Sequence, residues 1–255
     1  MIKGLRYIAV LLMVLATSEV WAWTAEVNKA ILMLAEENLS QKTKREVVEV
    51  LGTSLSAVEF VNNGKSTTHL TESGKSVTTN EDDAVVKLEK AIAILEKAEA
   101  SAEERKSALL TAVEMTVDIH CLSNILIDKH LEKDFKYGRD NGRPKNSRWF
   151  KVQEREWQAM WHSQYHESHG AFSAEMYLYD WHIATKGMAK LYKKQPVAPR
   201  AWVEQTGAIV LDMLKIFYPD AVVNMIEITK LEYVNNSAMY DAAFRLANLL
   251  NTVLK

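Results

Sequence analysis

VDIHCLSN, residues 117–124, lies in a run that otherwise reads as an apolar helix beginning near Ala102, yet it sets Asp118 and His120 where leucine and valine are expected. Two residues apart on a regular helix, the pair cannot point the same way. One is expected to face the interior and the other a neighbouring helix or solvent. An aspartate turned inward beside Met115, Val117 and Ile119 carries a heavy desolvation cost unless a cation or several donors meet it. The plainer reading is a carboxylate on a solvent-facing side, where acidic residues mostly sit. Ser101 and Glu104, spaced as a capping box, start this helix.

Outward from that stretch, helical periodicity dominates and convincing strand pairs are absent. Ala30, Ile31, Leu34 and Ala35 mark a helix over about 25–38, and Ser40 and Gly52 bracket a second. The segment 61–80, rich in Asn, Ser, Thr and Gly, reads as a long exposed loop that holds His69. Ala84, Val85, Leu88, Ala91, Ile92 and Leu95 mark a third helix. Residues 128–150 are polar and broken by Gly138, Gly142 and Pro144, which predicts loop. Helical pattern returns from about Glu154 to Tyr192, and three more helices are expected over about 200–217, 219–232 and 237–254. The chain as a whole reads as one all-α domain.

The ends set the compartment. Lys3 and Arg6 precede an apolar run from Tyr7 to Ala16, and Val20-Trp21-Ala22 has the small-residue pattern that signal peptidase accepts. The run falls short of the roughly 20 apolar residues that a membrane span needs. Residues 1–22 are thus expected to be a signal peptide cleaved after Ala22, giving a secreted or periplasmic product, residues 23–255, with no transmembrane segment after processing. Its single cysteine, Cys121, forms no internal disulfide, so the fold rests on packing or bound metal. The net charge of -2 offers no basic footprint for tight duplex binding.

Seven histidines fall between positions 69 and 182. His162 and His166 are four apart and share a helix face, with His169 a turn further on, although WHSQYHESH is not an established ligand motif. The order of several fragments is more telling. EMTVDIHCLSN at 114–124 is similar to H-L-V-G-D-I-H-Q-P-L-H, SLSAVEFVNN at 54–63 to S-L-A-D-x-A-x-W-x-D, and DNGRPKNSRWFKVQEREWQAMWHS at 140–163 to a run from D-x-G-G-N to N-L-H-x-x-W-D-S. AAFRLANLLNTVL at 242–254 is similar to an A-G-x-R-L-A-x-x-L-N ending. Fragments in this order resemble those of the zinc-dependent nuclease family typified by single-strand-specific fungal enzymes, which shares its helical fold with bacterial phospholipases C. The chain resembles that family over most of residues 23–255.

The resemblance implies a helical domain of the phospholipase C and single-strand nuclease type. It also implies hydrolysis of phosphodiester bonds in single-stranded nucleic acid or 3′-nucleotides by an endonuclease-like enzyme. The partners it implies are single-stranded nucleic acid, a nucleotide or phospholipid. In the family three zinc ions sit on nine residues, of which Trp23, His69 and the bridging Asp118 remain here, Asp118 being the residue on which catalysis would turn. Asn28, Asn63, Asn124 and Gln158 stand at other ligand positions and offer only neutral amides, poor partners for zinc. Glu114 still offers an oxygen and His162 a nitrogen. The expected metal complement is therefore at most one zinc ion, held by some of Trp23, His69, Glu114, Asp118 and His162; the full three-zinc set is not expected. Activity is expected to be reduced or lost, and the alternative is a non-catalytic secreted helical protein that binds a ligand or a metal. His120 falls on a non-ligand histidine of the family, where it would support a ligand from behind.

Overall fold

The computed structural model describes residues 23–59, 68–71, 73–77, 81–127, 149–151, 172–216 and 222–254. The expected signal peptide and Asn63, Gln158, His162, His166 and His169 lie outside these residues. Local chemistry accounts for most helix ends. Helix α1 spans Ala25–Glu37 and starts where the Thr24 hydroxyl accepts from the Val27 amide. Helix α2, Gln41–Leu51, starts on the Ser40 hydroxyl and stops at Gly52, whose φ of 78° suits a residue without a Cβ. In α3, Ala84–Leu95, the Asp83 carboxylate accepts from the Val85 amide at 2.8 Å. Helix α4, Ala102–Asp118, opens on the capping box of Ser101 and Glu104.

After α4 come α5 at Ala174–Ala184, α6 at Ala189–Tyr192, α7 at Pro199–Leu214 and α8 at Met225–Val253. Pro199 occupies the first turn of α7, where its missing N–H breaks no helical bond. Helices α3 and α4 form the most extensive packed pair, α8 lies along α1 and also touches α4, and α5 packs on α1. The shared core includes Ile31, Leu34, Leu88, Leu109, Leu122, Leu246 and Leu250. Each such side chain contributes on the order of 1.5–3 kcal/mol when fully buried. The described residues thus form one all-α domain, and among them no helix is long and apolar enough to cross a membrane.

Three details depart from the sequence-based expectations. Two short strand pairs exist: β1 (Thr68–Leu70) runs parallel to β2 (Ile125–Ile127), and β3 (Trp149–Lys151) runs antiparallel to β4 (Val222–Asn224). Strands of three residues are too short to leave a period in the sequence. The segment read as exposed loop therefore contains a strand whose Thr68 and Leu70 are buried, Leu70 against Gly207 of α7. Finally, the two expected C-terminal helices are one continuous helix. Residues 233–236, between the two expected helices, are helical, and Asn235 is buried, accepting from the Trp23 indole N–H at 3.3 Å.

Candidate functional site

The end of α4 resolves the oddity of VDIHCLSN. The helix stops at Asp118, after which His120 N bonds to Val117 O and Cys121 N to Asp118 O, both at 3.1 Å. These i to i−3 bonds tighten the chain into a turn that leads to the short 3-10 segment Leu122–Asn124. Asp118 and His120 are therefore not two residues of one regular helix, and both are buried.

The Asp118 carboxylate and its own main-chain carbonyl both receive the Asn124 amide, each at 3.5 Å, the long end of a hydrogen bond. Asn124 thus directs its donor nitrogen to the aspartate. One turn earlier Glu114 is half-buried on α4; burial raises its carboxyl above the ordinary range, and Lys87 of α3 works against that rise. His69 lies at the middle of β1, with its backbone N–H donating to the Asp83 carboxylate at 3.4 Å. The Trp23 indole is held by Asn235 on α8. Asn28 is buried in α1, and its side-chain oxygen has no hydrogen-bond partner.

Among the described residues no three of the His, Cys, Asp and Glu side chains come together to hold a metal ion. The expectation of one zinc ion on His69, Glu114 and Asp118 with the Trp23 terminus is overturned. Each group is directed elsewhere: Asp118 faces Asn124, Glu114 lies near Lys87, and His69 belongs to a strand fastened to Asp83. His162, the remaining expected ligand, is outside the described residues. Cys121 offers no substitute nucleophile, because burial pushes its thiol up to about 12 and it stays protonated at neutral pH.

A polar network that the sequence did not disclose fills the interior next to this end of α4. Arg245 of α8 donates through one terminal nitrogen to His120 Nε2 at 2.9 Å. Through the other it reaches Gln205, and Asp241 lies at 3.8 Å. Its guanidinium carbon stands 5.7 Å from the centre of the Trp202 ring, within reach of a cation–π contact. A guanidinium only donates, so Nε2 must accept, and the proton of the imidazole sits on Nδ1, which donates to Thr116 O at 2.6 Å. His120 is thus neutral, and burial, with Arg245 beside it, lowers its pKa to about 3. Asp241 also accepts from the Tyr192 hydroxyl, whose pKa is raised by burial and then by that carboxylate. An imidazole held this way is a poor general base, and its role is to tie α4 to α8. The signal available in the sequence was one arginine within AAFRLANLL, amid residues that the helical period places in the core.

A separate cleft of about 490 Å³ opens at the start of α1, lined by Ala25, Glu26 and Lys29 and by residues 56–59. Glu26 there accepts from the Ala174 amide at 2.8 Å and so fastens α5 to α1. With Glu26 and Glu59 against Lys29, the cleft does not favour a polyanion. The architecture is that of an all-helical domain with a buried, hydrogen-bonded centre around Asp118 and His120. No protein-family model and no curated protein sequence matches the chain.

Proposed function

We propose that the chain is an exported relative of the phospholipase C and single-strand nuclease type in which phosphodiester hydrolysis has given way to a non-catalytic binding role. The observation that carries this reading is the pairing of Asp118 with Asn124. In the family that the sequence resembles, both positions face metal, whereas here an amide donor meets the carboxylate and both residues are buried. His120, Arg245 and Asp241 support the same reading, since they join the helices around this centre by hydrogen bonds and charge rather than line an open cleft. The ligand class that descent from such a fold favours is a nucleotide or a phospholipid headgroup, and the two glutamates that line the α1 cleft argue against long nucleic acid.

The test is turnover of single-stranded DNA or RNA, of a 3′-nucleotide and of phosphatidylcholine, with added divalent metal, by the purified chain beside Asp118→Ala. Equal background in both proteins is expected. Metal-dependent turnover that disappears in the variant would restore the hydrolase reading, because Asp118 would then be acting on the reaction and not on the fold.

A further inference from the structure

Helix α5 carries large apolar side chains on its exposed side as well as on its buried one. Tyr177, Leu178 and Trp181 face inward and are buried, with the Trp181 ring edge-on to Tyr240 of α8 at 5.7 Å. Met176, Tyr179 and Ile183 follow at i, i+3 and i+7 on the outer side and are 48%, 68% and 68% exposed. A helix face turned to water is ordinarily polar, and a row of exposed apolar side chains marks a contact surface. Leu191 of α6 continues the theme at 64% exposed, while its neighbour Tyr192 turns inward and stacks on Phe244 at 5.0 Å.

Basic residues outnumber acidic ones around these side chains. Lys186, Lys190, Lys193 and Lys194 are all exposed, and no acidic residue occurs from Trp181 to Ala198. Of the acids nearby, Glu175 pairs with Lys29 at 3.5 Å and Glu37 is hydrogen-bonded to His182 at 2.6 Å, while Asp180 is exposed, so four lysines stand against three carboxylates of which one is ion-paired. In a chain of net charge -2, this is a local basic and apolar surface. Lysine suits such a place because its stem lies on apolar groups while its ammonium reaches outward.

We propose that the outer face of α5, continued by α6, docks on an anionic lipid bilayer. Tyr179, Ile183 and Leu191 enter the boundary between headgroups and acyl chains, and the four lysines meet lipid phosphates. Apolar insertion and basic attraction add in interfacial binding, and neither alone anchors a protein firmly. The surface is remote in kind from the Asp118 centre and holds whether or not that centre hydrolyses anything.

Flotation of the full chain with vesicles decides it, using phosphatidylcholine alone and phosphatidylcholine mixed with phosphatidylglycerol. The chain is expected to float with the mixed vesicles and to be released by salt. Each lysine near such a surface is worth roughly fivefold in partitioning. Replacing Lys186, Lys190, Lys193 and Lys194 with glutamine should therefore lower it by roughly several hundredfold, and Ile183→Ser with Leu191→Ser by about tenfold or more. All six residues are exposed, so circular dichroism should be unchanged, and residues 1–22 are common to every variant. No flotation with mixed vesicles, flotation of both variants like the parent, or capture of an acidic protein in place of lipid would each overturn the proposal.

Discussion

Arg245 and His120 show how a buried charge is accommodated in this interior. The guanidinium is met by a neutral imidazole, an amide oxygen and a carboxylate, with the Trp202 ring beside it. Removing the cation strands its partners, so Arg245→Met is expected to destabilise the fold by about 3–5 kcal/mol, read from urea unfolding. The histidine adds a pH dependence of definite sign. Its folded pKa lies at about 3, below the ordinary 6.5, so the unfolded chain binds the proton more readily. Stability from this residue is complete above about 6.5 and declines as pH falls toward about 3. Between pH 7 and pH 5 the loss should approach roughly 2 kcal/mol, and it should be absent in His120→Asn. Equal acid sensitivity in the two proteins would show that the imidazole is not held neutral. Asp118 and His120 stood out in the sequence because they interrupt an apolar run; Arg245 did not, because His120 in the turn after α4 and Gln205 of α7 are distant along the chain.

Among the elements, α7 and β1 meet at a glycine. A Cβ on Gly207 would overlap the Leu70 methyl, and Leu70 is fully buried with Ile125 close by. Alanine improves the helix by about 1 kcal/mol. Overpacking in a filled core costs about 1–3 kcal/mol, so Gly207→Ala should lower the urea midpoint despite its better propensity. Adding Leu70→Ala should recover part of the loss, and a midpoint raised by Gly207→Ala alone would show that β1 yields easily. The helices themselves were legible because Thr24, Ser40 and Ser101 cap from within three residues of the amide they satisfy. Strand β1 was not, since its partner in β2 lies far along the chain and only three residues pair.

For the whole molecule, the proposed export has a plain consequence: material recovered outside the cytoplasm should begin at Trp23 by intact mass. A mass that retains residues 1–22 would remove that proposal, and with it the new amino terminus beside the buried Trp23 ring. Ser101 and Glu104, Ser40 and Gly52, and the repeating leucines of α3 and α8 determined an all-helical chain by themselves. Their effects are local, acting through backbone bonds and helical period within a few turns. The fate of the polar residues was decided only by tertiary structure. His120 meets Arg245 across 125 positions, Trp23 meets Asn235 across 212, and His69, Glu114 and Asp118, which motif order had placed together, do not converge. A buried polar group takes whichever donor or acceptor packing brings within about 3 Å, and a linear order of residues does not contain that distance.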